Sequence, residues 1–218
     1  MITFLEHNVV SLWQKKHPML LLLRPFSLLY VIFITLRRAW YQAFRKKLPV
    51  PVVVVGNITV GGSGKTPVVI ALIEALQKEG FKPGVISRGF GGCLNKSPTL
   101  VSEDHQPHEV GDEPLMIFKN THIPVVVAKN RFKAAEKLLA LHPEVNILLS
   151  DDGLQHYRLP RQFEIVMVDV STLGNQRCLP EGPLREPMSR LESVNAVLTR
   201  NGVLKNSYPI YFKSEKAT

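Results

Sequence analysis

Cysteine is nearly missing from this sequence. Cys93 and Cys178 are the only two; they lack the spacing of a metal site and are too few for a disulfide framework, so two free thiols in a reducing compartment are expected. Acidic residues are also scarce, with 18 Asp and Glu against 27 Lys and Arg, a formal charge of +9 and a pI near 9.7. That balance favours anionic partners such as nucleic acid, acidic lipid or phosphorylated substrates, and does not by itself choose among them. Repeats and low-complexity tracts are absent, which removes repeat arrays and biased disordered segments from consideration. What is present is 45% apolar content over 218 residues, enough for the core of one large α/β domain or two small ones.

One long apolar run stands out, "HPMLLLLRPFSLLYVIFITLRRAWYQAFRKK" from His17 to Lys47. Its core, Met19 to Leu36, is about the minimum length for a membrane span, which needs roughly 17–25 residues, and Arg24 and Pro25 interrupt it. Five bases follow (Arg37, Arg38, Arg45, Lys46 and Lys47) with no acid among them, which suits a cytoplasmic, anionic lipid surface. Trp40 and Tyr41 would lie at the interface. No small-residue cleavage site follows the run, so a retained anchor is expected over a removed signal peptide. The other reading is an amphipathic or buried helix packed on the domain, and spanning versus lying in the interface stays open.

Beyond the basic run, short apolar segments alternate with amphipathic ones, predicting an α/β fold with a mostly parallel sheet flanked by helices. Strands are expected at Val50–Val55, Pro83–Ser87, Ile123–Ala128, Val145–Ser150, Phe163–Val168 and Ala196–Thr199, and helices at Lys65–Glu79, Pro114–Lys119 and Arg131–Leu141. Gly89–Val110 and the Gly- and Pro-dense Leu173–Pro187 read as long loops. The expected partition is an anchor over 1–48, a P-loop domain over 49–190 and the start of a further lobe over 191–218. The chain stops soon after "YPIYFK" without an obvious closing helix, and an incomplete protein is the expectation.

"VPVVVVGNITVGGSGKTP", Val50 to Pro67, has the order of a phosphate-binding loop: a β-branched strand, a glycine cluster, then Lys-Thr opening a helix. Thr59, Val60, Gly61, Gly62, Ser63, Gly64, Lys65 and Thr66 form the nucleotide-binding stretch, with Thr59 where the general pattern has its first Gly. Backbone N–H groups would turn toward phosphate oxygens, Lys65 would reach the β and γ phosphates of ATP, and the Thr66 hydroxyl would hold Mg²⁺. A glycine turn that only joins strand to helix is the bland alternative. "AKNR" and "TRNG" lack the Asp of a guanine-reading motif, and Val60 stands where MinD-type membrane ATPases carry a second lysine, leaving an ATPase switch of that kind as the runner-up.

"NILLSDDGLQHYRLPR" puts Asp151 and Asp152 at the end of an apolar strand, where a Mg²⁺-supporting carboxylate belongs; a plain Asp-Gly turn is the alternative. His156 and Arg158 follow in the same loop, placed either to face the site or to serve structure. In "VGDEPLMIF", Asp112 suits a helix N-cap and Pro114 the first turn, and capping alone explains that Asp. Arg88 in "VISRGFGG" and Arg131 in "AKNRF" follow strands and read equally as acceptor-phosphate ligands or surface charges.

Together "GNITVGGSGKTP", "ISRGFGG", "GDEPLMI", "KNR", "SDDGLQH" and "CLPEGPLREP", in this order behind an apolar helix, resemble the tetraacyldisaccharide 4′-kinase family of Gram-negative bacteria. The resemblance implies a P-loop kinase that transfers the ATP γ-phosphate to the 4′-hydroxyl of tetraacyldisaccharide 1-phosphate at the cytoplasmic face of the inner membrane. It implies Lys65 and Thr66 on nucleotide and Mg²⁺, Asp151 and Asp152 as the metal-linked pair, with Asp152 and Lys65 also catalytic, and Asp112 as the base for the sugar hydroxyl. It also places Glu113, Arg131, His156 and Glu186 near substrate or nucleotide, while Arg88 is a candidate substrate ligand from its strand-end position alone. Anionic membrane lipids then account for the charge without nucleic acid. Family members continue well past this chain's end with a histidine that assists the catalytic Asp, so an inactive kinase fragment is a further alternative.

Overall fold

The computed structural model describes residues 10–15, 17–44, 46–62, 64–94 and 97–212; Arg45 and Ser63 lie outside the described residues. A 3₁₀ turn, Pro18–Leu23, leads into helix α1, Arg24–Ala43. Arg24 and Pro25 open this helix rather than interrupting it, because Pro is tolerated in a first turn where its missing N–H has no partner to lose. The chain forms two compact units. The smaller holds the described residues up to Leu36, 58–62 and the chain from Val166 onward; the larger holds Arg37–Asn57 and Gly64–Ile165.

In the larger unit, strands β1 (Val52–Gly56), β2 (Pro83–Ser87), β3 (Thr99–Leu100), β4 (Val125–Val127) and β5 (Ile147–Asp151) lie in the order β3-β4-β2-β5-β1. All are parallel except the edge strand β3, which pairs antiparallel with β4. The strands are runs of Val, Ile and Leu because helices cover them, as parallel sheets require. Helix α2 is Lys65–Lys78, α3 is the short Pro107–Val110, α4 is Asp112–Thr121 and α5 is Arg131–Leu141. Helices α2 and α4 pack together, while α5 packs on β2 and β4. Val52, Val54, Ile86, Val126, Leu138 and Leu148 are central to one buried cluster. The expected Gly89–Val110 loop in fact contains β3 and α3, elements too short for periodicity to reveal.

Strand register decides which residues meet at the sheet's end. Val55 pairs with Asp151, Ile86 with Ser150, and Ser87 with Val127. The carboxyl ends of four neighbouring strands therefore align, and the loops that leave them carry the glycine, acidic and arginine motifs.

The smaller unit contains β7 (Ala196–Arg200), parallel to β8 (Tyr208–Pro209), and β6 (Phe163–Asp169) carries the chain into it from the larger one. Within this unit the Ser27 hydroxyl of α1 donates to the Cys178 carbonyl at 2.8 Å, and the Tyr30 hydroxyl donates to the Arg185 carbonyl at 2.9 Å. Both cysteines are free thiols; burial pushes Cys178 up to about 11, with Glu186 and Glu181 adding to the shift.

Candidate phosphate and acid site

The first half of the glycine loop belongs to the smaller unit. There Thr59 bridges Leu184, the Val60 N–H donates to the Pro183 carbonyl at 2.9 Å, and the Arg185 N–H donates to the Ile58 carbonyl at 2.6 Å. The segments "GNITVGG" and "CLPEGPLREP", far apart in the chain, thus lie side by side. Val60, Gly61 and Gly62 are exposed, and a Cβ on either glycine would meet nothing within 4 Å. Gly61 has φ of 99°, which glycine adopts without penalty, while no packing constraint keeps a side chain off Gly62.

Gly64 is the N-cap of α2 with φ of 75°, a left-handed conformation that glycine adopts without penalty. No cap side chain accepts from the first-turn N–H groups, so the positive end of the helix has no side-chain cap. Lys65 and Thr66, the first two residues of α2, are buried. Lys65 Nζ lies 3.3 Å from Asp152 Oδ1, with side chains 7% and 31% exposed. Asp152 has φ of 47°, which turns the chain sharply just past β5.

Asp151 is fully buried. Burial pushes its carboxyl up to about 7, with Glu113 and Asp152 adding to the shift and Lys65 and Arg131 opposing it. Ser87, at the end of β2, donates to Asp151 Oδ2 at 3.5 Å, and Oδ1 has no hydrogen-bond partner among the described residues. An orphaned buried carboxylate oxygen is costly, and a hard cation would satisfy it. Among the described residues no three His, Cys, Asp or Glu side chains converge to hold a metal. Asp151 and Asp152, at the strand end, and Thr66, at the start of α2, are the residues that could hold Mg²⁺, a hard cation that takes oxygen ligands.

Arg131, expected as a substrate ligand, is itself buried. Its guanidinium donates to the Asp151 backbone carbonyl at 3.2 Å and to the Ala128 carbonyl at 3.0 Å, so it braces the end of β5. Burial lowers it to about 10 against the pull of Asp151 and Asp152, with Arg88 adding to the lowering. His156 accepts from the Arg131 N–H at 3.4 Å, and burial beside Arg131, Arg161, Arg37 and Arg88 holds it down to about 4. Arg88, Glu113, Arg131 and His156 thus share one electrostatic neighbourhood with the acidic pair. Arg158 is exposed and points away to the Tyr41 ring, 5.9 Å from its centroid.

Asp112 is the first residue of α4, and Gly111 takes the N-cap position, so the expected capping role for Asp112 is corrected. The cause is a close approach: a Cβ on Gly111 would lie 2.8 Å from the Phe90 carbonyl, and one on Gly92 would lie 2.5 Å from the Glu109 carbonyl. Only glycines let "ISRGFGG" lie against "GDEP", which leaves Asp112 and Glu113 exposed at the positive end of α4. Glu186 is in the smaller unit, buried and paired with Arg190 at 3.0 Å. Sequence reasoning missed Ser87 and Arg161. Ser87 sits inside the "VISRGFGG" motif, while Arg161 gives no local signal.

A family model for tetraacyldisaccharide-1-P 4′-kinase, LpxK, matches residues 19–215. The chain belongs to that family. Curated tetraacyldisaccharide 4′-kinases similar to it include those of Shewanella amazonensis, 53% identical over 89% of this chain and 56% of that protein, and Pseudomonas syringae pv. tomato, 46% identical over 89% and 60%. That of Coxiella burnetii is 50% identical over 82% of this chain and 56% of its own length. The chain thus spans a little over half the length of these relatives. A crystal structure of LpxK from Aquifex aeolicus in complex with ATP superposes with a TM-score of 0.72 at 32% identity, covering 90% of this chain and 63% of that one.

Proposed function

We propose that the chain acts in transfer of the ATP γ-phosphate to the 4′-hydroxyl of tetraacyldisaccharide 1-phosphate. One observation carries this reading: in a member of this kinase family, a lysine at a glycine-capped helix start is ion-paired to an acidic couplet at the adjoining strand end. Phosphoryl transfer depends mainly on positioning and charge neutralisation, and the site offers both.

The glycine loop binds the phosphates, and Lys65 leaves Asp152 for the β and γ oxygens. Thr66, Asp151 and Asp152 would hold Mg²⁺, which would supply charge neutralisation to the transferring phosphate. Asp112 accepts the proton of the sugar hydroxyl as its oxygen bonds to the γ-phosphorus and the bond to ADP breaks. Arg88 and Glu113 orient the acceptor, Arg131 and His156 fix the end of β5, and Glu186 with Arg190 supports the segment beside the loop.

Helix α1 supports work at a membrane. Pro18–Ala43 is long and apolar enough to cross a bilayer, and little of it is buried. Leu22, Phe26, Leu29, Phe33, Leu36, Trp40 and Phe44 recur at helical spacing, and each is more than half exposed. The opposite face is committed, with Ser27 and Tyr30 hydrogen-bonded to protein backbone. Such a helix lies in the interface with its apolar stripe in lipid, on the cytoplasmic side where ATP and an acyl-chain acceptor meet.

The test is transfer of radiolabelled γ-phosphate to tetraacyldisaccharide 1-phosphate in mixed micelles, against Asp112→Ala. Labelled lipid is expected from the first, and about 10²–10⁴-fold less from the second. ATP turnover at the same rate without acceptor overturns the reading.

A further inference from the structure

A cavity of about 360 Å³ opens in the larger unit, away from the acidic pair, between the end of α1 and the start of α5. It falls within the size range of small-molecule sites, roughly 300–1,000 Å³. Trp40, Tyr41, Phe44 and Phe132 supply its walls. Lys46, Lys133 and Arg158 supply its charge, against the single acid Glu136.

The bases are held ready for an anion. Lys46 Nζ lies 5.2 Å from the Phe132 ring centroid, and the Arg158 guanidinium carbon lies 5.9 Å from that of Tyr41. Among the described residues, none of the three bases has a carboxylate partner. The N–H groups of Phe132 and Lys133 are already taken by the Asn130 side chain, so an anion here would be bound by side chains and not by the helix end.

Position argues for the source of that anion. Trp40 and Phe44 line the cavity and are also the last two members of the exposed apolar stripe of α1. With that stripe among acyl chains, the cavity mouth sits at headgroup depth, where Trp and Tyr rings and basic side chains are favoured. We propose that this cavity seats the phosphate headgroup of an acidic membrane phospholipid, whose acyl chains run beside α1. The proposal rests on the membrane reading of α1 and adds to it a specific seat. Bound lipid would also brace Arg158, and through it the loop that carries Asp152 and His156. Zwitterionic headgroups bring their own cation to a site with a charge excess of two bases, and they fit it poorly.

The test is vesicle flotation of the whole chain at physiological salt, with phosphatidylcholine vesicles and with vesicles containing phosphatidylglycerol. The double variant Lys133→Gln/Arg158→Gln changes two exposed side chains outside the catalytic machinery. A control, Lys78→Gln/Lys119→Gln, removes the same charge elsewhere. Each base at a membrane surface is worth about fivefold in binding, so a loss of about twentyfold is expected for the seat variant on phosphatidylglycerol vesicles. The control should lose less than about threefold, and no variant should change binding to phosphatidylcholine. Equal losses in both variants mean diffuse attraction and overturn the seat. Equal wild-type binding to both vesicles overturns it too while sparing the membrane reading, whereas failure to bind any vesicle overturns both. Calorimetry with inorganic phosphate separates the sources: tight binding without lipid would make this a free-phosphate site and refute a lipid seat.

Discussion

Arg161 should matter far more than its sequence context suggests. Its guanidinium donates to the carbonyls of Leu154 at 2.8 Å, Gly153 at 3.4 Å and Leu159 at 3.3 Å, and also to that of His156, while pairing with Glu164 at 3.0 Å. The paired side chains are 3% and 12% exposed. One group therefore ties together the loop that follows the acidic couplet. Arg161→Ala removes one shared cation from several carbonyls and a largely buried carboxylate. Hydrogen bonds to charged groups are worth about 1.5–3 kcal/mol each, but they share one cation and do not add, so the cost is set at about 3–5 kcal/mol, as for breaking a buried pair. With a urea m-value of about 2–3 kcal/mol/M, the unfolding midpoint should fall by roughly 1–2.5 M. Glu164→Gln is the control: it removes the ion pair, keeps the carbonyl bonds, and should lose less than half as much. A midpoint shift below about 0.5 M for Arg161→Ala at unchanged m, or equal losses for both variants, refutes the reasoning.

Lys65→Ala should abolish most phosphate transfer and weaken Mg-ATP binding, whereas Asp112→Ala should keep that binding and lose turnover; calorimetry showing equal binding losses refutes the division of roles. His156 is held neutral down to about 4. The unfolded chain takes up that proton near 6.5, so the stability His156 contributes is present above pH 6.5 and lost as pH falls toward 4. The gap in urea midpoint between wild type and His156→Gln should widen from pH 4 to 6.5, and a flat gap refutes the assignment. Asp151, pushed up to about 7 from 3.8, runs the other way, so Asp151→Asn should gain on the wild type as pH rises through that window without Mg²⁺. Leu29→Glu/Phe33→Glu, on the exposed stripe of α1, should cut vesicle binding by about tenfold or more in flotation, with little change in thermal midpoint.

Much of the fold was legible because its elements are locally encoded. Pro83–Ser87 and Arg131–Leu141 emerge with the expected bounds, since a β-branched run and an Asn-capped amphipathic segment each set their own conformation. The glycine loop, the strand-end acids and the apolar helix were legible for the same reason. Two-residue strands such as Thr99–Leu100 were not, because only pairing with β4 holds them. The N-cap assignment of Asp112 failed because Gly111 is fixed by its contact with the Phe90 carbonyl, a neighbour that local sequence does not reveal.

By itself, the sequence determined the kinds of elements, the phosphate loop and the reserve of positive charge, all properties of short segments with definite backbone preferences. Only the tertiary structure decided partners. The order β2-β5-β1 carries Asp151 to Ser87 and Asp152 to Lys65, turns Arg131 inward to a backbone carbonyl, and leaves Lys133 and Arg158 facing a shared cavity. These contacts join residues far apart in the chain, so they are set by strand order and burial, which no single segment encodes.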